Sequence, residues 1–345
     1  MSPMPAIRPF CSLALALGTL VSAEPIQSFT APFQAQGHIE RYSPELDELI
    51  APDAQLEILA TGFRWSEGPV WDSKRSRLLF TDVPENTAYR WTEAEGVSIF
   101  LQPSGHAEMK PEGIASPGAN GLAFSPEGQL VLCQHGNQQI ALLDEAEQTF
   151  IPLVDRFGER RFYSPNDLVY SASGALFFTD PPYGLPRERQ RAIDTHYVYR
   201  LDRDGSVHQL IDSIPYPNGI GLSPDGDTLY IASSDGRSPA VHAFPLDSQG
   251  NPTGSPSLLF DATVYRSDTR KGGCDGMAID ERGTIWTTGP GGVYIIKPDG
   301  ELIGYLHTDG RLANCAFGGP QGTTLYITAA DKLLRIETRV RGLQH

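Results

Sequence analysis

The sequence predicts an all-β fold, a six-bladed β-propeller with four-stranded blades, and three observations carry that prediction. The first is a phrase that recurs. "SPNDLVYSASGALFFTD" at residues 164–180 is echoed by "SEGPVWDSKRSRLLFTD" at 66–82. Further echoes are "ANGLAFSPEGQLVLCQ", "PNGIGLSPDGDTLYIAS", "CDGMAIDERGTIWTTG" and "ANCAFGGPQGTTLYITA". Their lead polar residues are Glu67, Asn120, Asn166, Asn218, Asp275 and Asn314, at intervals of 53, 46, 52, 57 and 39 residues. Such spacing marks a repeat architecture. The second observation is the grammar of each copy: two runs of β-branched and aromatic residues split by a turn, which in five of the six copies carries Gly, as in "SPEG" or "SPDGD". The third is a spare strand, Leu56 to Phe63, ahead of the first copy.

The elements follow in order. A third strand succeeds each pair ("TAYRWT", "QIALLD", "HYVYRLD", "AVHAFPL", "GVYIIKP", "KLLRIE"), and a fourth follows in five of the six copies ("VSIFLQ" through "ELIGYL"). The last copy lacks its fourth strand, and Leu56–Phe63 can supply it and lock a ring of six blades. A parallel β-helix is the rival, but it needs shorter repeats and no closing strand. The propeller is expected over residues 51–345. Residues 24–50 stand outside the pattern, and "SPELDELI" reads as a short helix with Ser43 as its N-cap. Residues 1–23 read as a secretory signal peptide: Arg8, a short apolar run, then Val21-Ser22-Ala23 as the cleavage site. A leader that is disordered or retained is the alternative. On the first reading the protein is secreted or periplasmic.

Composition narrows the partners. Apolar residues make up 40% of 345 residues, enough for a core, and 35 Gly with 28 Pro suit a turn-rich β protein. The formal charge is 27 − 42 = −15, which repels phosphate backbones and argues against nucleic acid. Beyond the leader no stretch is long and apolar enough to cross a membrane as a helix. Oligomeric state is not legible. Cys133, Cys274 and Cys315 remain after cleavage, too few and too scattered for a disulfide framework. A Cys274–Cys315 bridge is geometrically conceivable, and buried thiols are the preferred reading.

Repeat geometry places the lead residues in a ring at one mouth of the central channel. The loops after each second strand overhang it, carrying Asp82, Gln134 to Asn137, Asp180 to Gly184, Ser233 to Arg237, "GPGG" and Asp331. Asn is disfavoured in strands, so two carboxylates and four amides at six equivalent positions point to a cation site. Calcium accepts carboxylate and amide oxygens in irregular geometry, and Glu67 with Asp275 balances its charge. Magnesium prefers a tighter octahedron, and zinc prefers His or Cys. Both stay as other divalent candidates.

The motifs "EGPVW", "SPNDL", "PNGI" and "DGMAID" resemble the senescence-marker-protein/gluconolactonase/luciferin-regenerating-enzyme-like superfamily. "QHGN" and "FTDPPYG" are similar to its bacterial gluconolactonase-like branch. The resemblance runs from about Leu56 to the C-terminus. It implies a six-bladed propeller with one divalent metal, usually calcium, and hydrolysis of sugar lactones. It places the metal ligands on Glu67, Asn166, Asn218 and Asp275, and the catalytic base on Asp275. An Arg that some members place shortly before the Asn166 position is absent, since Tyr163 and Ser164 hold that stretch. This leaves the particular sugar open.

Lactone opening asks for a polarised carbonyl and an activated water. Asp275 is the expected base, and His135, set over the channel by its loop, is the alternative. Asn120, Asn314, Tyr183 and Asp180 are expected to contact substrate. No G-x-S-x-G or H-E-x-x-H pattern competes. Two other functions fit the same residues: a metal-dependent aryl-ester or phosphotriester hydrolase, and a non-catalytic sugar-binding propeller.

Overall fold

The computed structural model describes residues 25–308 and 310–343. The expected leader at 1–23, with Cys11, lies outside them. Among the described residues helix is confined to Leu46–Leu49 and Arg187–Arg191, with one 3-10 turn at Thr263–Tyr265, and strands form the rest of the regular structure.

Each repeat folds into an antiparallel sheet. Ala119–Phe124, Leu130–Gln134, Gln139–Asp144 and Thr149–Val154 make one. Leu168–Tyr170, Leu176–Asp180, Tyr197–Leu201 and Val207–Ile211 make the next. Pro217–Leu222 through Ser257–Asp261 and Met277–Ile279 through Leu302–His307 repeat the pattern. The first and last repeats share one sheet, because Glu57–Asp72 runs through both. Its first part pairs with Lys332–Arg335 of the last repeat, and Ser66–Asp72 pairs with Arg77–Asp82 of the first. Leu56–Phe63, expected as a separate strand, is therefore continuous with the lead strand of the first repeat. Gly62 makes the passage, at φ +103 and pressed against the backbone of Pro25 and Ile26. Thr324–Glu337 folds back on itself at Ala330, where φ is +50, so that Thr338 N–H reaches Thr323 O at 2.8 Å.

The lead strands contact one another in chain order, and the last contacts the first. The recurring Thr explains part of the repeated phrase. The hydroxyls of Thr81 and Thr179 donate to the lead carbonyls of the following repeats, Asn120 O at 3.1 Å and Asn218 O at 2.8 Å. The Gly after a lead residue explains another part. A Cβ on Gly68 would lie 2.0 Å from Asn120 O, and one on Gly219 would lie 2.2 Å from Asp275 O. Neighbouring lead segments approach too closely for any side chain there. Apolar faces of adjacent sheets fill the space outside this ring, as where Val131 and Cys133 meet Phe178 and Tyr199.

The N-terminal residues join the sheets rather than standing apart from them. Gln27–Ser28 and Gln34–Ala35 cover the outer edge of Glu57–Thr61, and His38–Arg41 adds a fifth strand to the Leu302–His307 edge. The expected helix is corrected in detail. It begins at Leu46, Glu45 holds the cap position without a side-chain bond, and Ser43 Oγ accepts from Glu45 N–H at 3.3 Å instead. At the other end Gly342 and Leu343 donate to Gly322 O and Ile279 O, at 3.0 and 2.8 Å. The three described cysteines are buried and free, so no bridge joins Cys274 to Cys315.

Candidate active site

The lead residues meet around a cavity of about 470 Å3. Glu67, Asn120, Asn166, Asn218 and Asp275 line it, together with His135 and Tyr183 from overhanging loops. Four of those five lead side chains, Glu67, Asn120, Asn166 and Asn218, are almost wholly buried.

Several of these side chains are already oriented. Trp65 Nε1–H donates to Glu67 Oε1 at 3.1 Å, and Gly68 N–H donates to Oε2 at 3.3 Å. Asn218 Nδ2–H donates to Ser234 Oγ at 3.0 Å, and Ser234 Oγ–H donates to Cys274 O at 2.6 Å. The Asn218 amide is thereby held by its nitrogen, which leaves its oxygen for the cavity. Other atoms have no partner: Asn120 Oδ1, Asn166 Oδ1, Asp275 Oδ1 and both ring nitrogens of His135. Buried polar atoms are nearly always bonded, and leaving one unmet costs about 1–3 kcal/mol. Five in one cavity mark a place built for a ligand. The donor chemistry suits a hard cation: carboxylate and amide oxygens, with Glu67 and Asp275 carrying the charge. Among the described residues no three His, Cys, Asp or Glu side chains converge as a metal cluster. An oxygen set divided between two acids and two amides differs from such a cluster.

Electrostatics point the same way. Burial, and then the neighbouring charges of Glu67 and Asp167, hold the Asp275 carboxyl well above the usual carboxylate range. Burial also raises Glu67. Positive charge placed between them would relieve both. Burial pushes His135 down to about 3, so it stays an uncharged imidazole at neutral pH.

Two expected contacts fall outside the cavity. Asp180 spends its carboxylate on its own repeat, accepting from Tyr163 N–H at 2.9 Å and Ser164 N–H at 2.8 Å. Asp82 grips Arg64 and Trp65 in the same way, at 2.8 and 3.1 Å. The Thr-Asp ending is thus a clamp that seats the lead segment, and Asp180 is not placed to touch substrate. Asn314 turns toward a second cavity, where Nδ2–H donates to Asp167 Oδ2 at 3.3 Å and Oδ1 accepts from Cys315 N–H at 2.8 Å. Tyr183 does form the wall, stacked at 6.1 Å on Tyr216. Sequence reasoning missed Trp65 and Ser234. Their only signal was a place two residues before a lead residue or inside an overhanging loop. It also missed Arg64 and Arg311, which reach the rim.

Comparison with known proteins settles the family. The SMP-30/Gluconolactonase/LRE-like region model matches residues 65–331. The chain belongs to this family. It is 40% identical over 312 residues to the gluconolactonase of Zymomonas mobilis, covering 89% of this chain and 87% of that one. The solved gluconolactonase XC5397 of Xanthomonas campestris superposes with a TM-score of 0.74 at 29% identity, over 92% of this chain and 99% of that chain. A regucalcin from Agrobacterium tumefaciens, described as a calcium-binding protein, shares the fold with a TM-score of 0.66 at 21% identity, over 90% and 96%. The architecture is accordingly that of the family's β-propeller.

Proposed function

We propose that the protein is a calcium-dependent lactonase that opens sugar lactones, built as six blades whose ring Leu56–Phe63 closes. The observation that carries this reading is the set of unpartnered oxygens on Asn120, Asn166 and Asp275, facing one cavity beside buried Glu67. Glu67, Asn166, Asn218 and Asp275 would hold the ion. Calcium is the one to try first, since the related regucalcin is described as binding it; magnesium or zinc come second. Bound there, a divalent cation supplies the positive charge that polarises the lactone carbonyl.

The chain's own groups do the rest. Asp275 Oδ1 faces the cavity; one of the two Asp275 oxygens would hold the ion, and the other accepts a proton from water. That water adds to the carbonyl carbon, the ring C–O bond breaks, and the ring oxygen leaves as a hydroxyl once it takes up the proton. The product is the open hydroxy acid. Asn120 Oδ1 and the ring nitrogens of His135 are free to receive substrate hydroxyls, and Tyr183 bounds the pocket. His135 stands as the alternative base, and its depressed basicity makes it the weaker one.

Relatives named gluconolactonase support the substrate class. The test is hydrolysis of an aldonolactone panel by pH-stat, with chelator and with calcium restored. Activity that survives chelation removes the metal from the reading, and no turnover of any lactone removes the reaction. The leader at 1–23 makes a secreted or periplasmic location the expectation, checked by N-terminal sequencing of the mature protein.

A further inference from the structure

We propose that Trp65 is a positioning residue for the cation site, holding Glu67 through its indole N–H and reporting the site's occupancy. This rests on the reading of Glu67 as a ligand. Glu67 is buried at 3% exposure, and its carboxylate has two bonding partners. One is the backbone of Gly68, at 3.3 Å. The other is Trp65 Nε1–H, at 3.1 Å. Each carboxylate oxygen carries two lone-pair directions, so one bond to each leaves both able to face an ion. A free Glu side chain has three rotatable torsions, and a ligand that must be ordered at binding lowers affinity. The indole removes that freedom beforehand. Trp65 is itself fixed, because Asp82 accepts from its backbone N–H at 3.1 Å. A chain of contacts thus runs from the second strand of the first repeat through Trp65 to the ligand oxygen. Donors of this kind behind a ligand typically change metal affinity by about 10–100-fold.

Trp65 also lines the cavity, while Trp91 and Trp286 are buried in the core and Trp71 stacks on Tyr326. An ion on Glu67 therefore alters the surroundings of one indole of the four.

The experiment is a calcium titration of wild type and Trp65→Phe, followed by calorimetry and by the indole N–H resonances of 15N-labelled protein. Phe keeps an apolar ring but has no N–H to donate. Wild type should take up one calcium with a shift of one indole resonance. Trp65→Phe should retain the cation-free melting temperature and bind calcium about tenfold or more weakly. If wild type binds calcium and Trp65→Phe binds it equally well, the positioning role is overturned and the cation reading stands. If wild type binds no divalent cation at all, the cation reading fails and takes the role with it. Should the variant fail to fold, the wild-type spectrum decides alone: calcium uptake with no indole shift overturns the proposal.

Discussion

The cavity around Glu67, Asn218 and Asp275 and a second cavity of about 350 Å3, lined by Gly68 and Asp167 among others, are cut from the same lead strands. Val70, Leu122, Val169, Ile220 and Ile279 give the second one apolar walls. Its polar groups are answered: Asn314 bonds Asp167, and Asp72 bonds Arg77 at 2.9 Å. None of its lining side chains has an orphaned atom among the described residues, whereas the first cavity holds five such atoms. The difference shows how one repeat serves two ends. Where a lead strand is polar at its start and apolar two or three positions later, the start faces the first cavity and the rest is packing. Unmet hydrogen-bonding capacity, rather than volume, separates the site from the space behind it.

That contrast can be broken at either end. The largest effect is expected for Asp275→Asn, which keeps a ligand oxygen and loses the proton acceptor. Turnover of lactone should fall about 10²–10⁴-fold, while calorimetry still finds calcium bound. Near-wild-type turnover would move the base to His135. In the second cavity Ile279→Ala should destabilise the fold by about 2–5 kcal/mol and leave KM unchanged. A change in KM there would mean that the two cavities communicate. Ser234→Ala releases the Asn218 amide, and calcium affinity should weaken by about tenfold or more with little change in melting temperature. An unaltered affinity would show that Asn218 orients itself.

A further test concerns pH. Burial holds the Asp180 carboxyl up, to about 7, against the N–H bonds it accepts. Its unfolded value is about 3.9. Below that value both states carry the proton and the group has no influence. As pH rises toward 7 the unfolded state ionises and the folded state does not, so stability falls by up to about 1.4 kcal/mol per pH unit from this group. Above 7 the loss levels off. Asp180→Asn should therefore cost most stability at pH 4 and progressively less toward pH 7, by thermal melts of both proteins. A constant difference across that range would place Asp180 as an ionised clamp.

Much of this was legible. Five of the six equivalent starts, Glu67, Asn120, Asn166, Asn218 and Asp275, meet around one space because strand period and turn chemistry leave few other arrangements. The misplacements share a cause. Asp180 and Asn314 have the residue type of a ligand contact, yet backbone N–H groups from Tyr163, Ser164 and Cys315 claim their oxygens. Competition between a local backbone donor and a substrate is decided by ångström geometry that a repeat pattern does not encode. The edge strands at Gln27–Ser28 and Gln34–Ala35 were invisible for a different reason. At two residues each, they are too short to show alternation. Trp65 could have been noticed as an aromatic residue two places before the charged lead residue, but the same letter fits a core position.

The tail at Gly342 and Leu343 is fastened beside Ile279 and lines the second cavity, not the first. A group attached at Leu343 sits beside the second cavity, apart from the one that Glu67 and Asp275 line. A bead or electrode coupled through that terminus should hold every molecule with its reactive mouth toward solution. Coupling near Pro25, whose backbone packs on Gly62 three residues from Trp65, should crowd that mouth instead, and the turnover of the two immobilised preparations on the same lactone is a direct way to see the molecule's polarity.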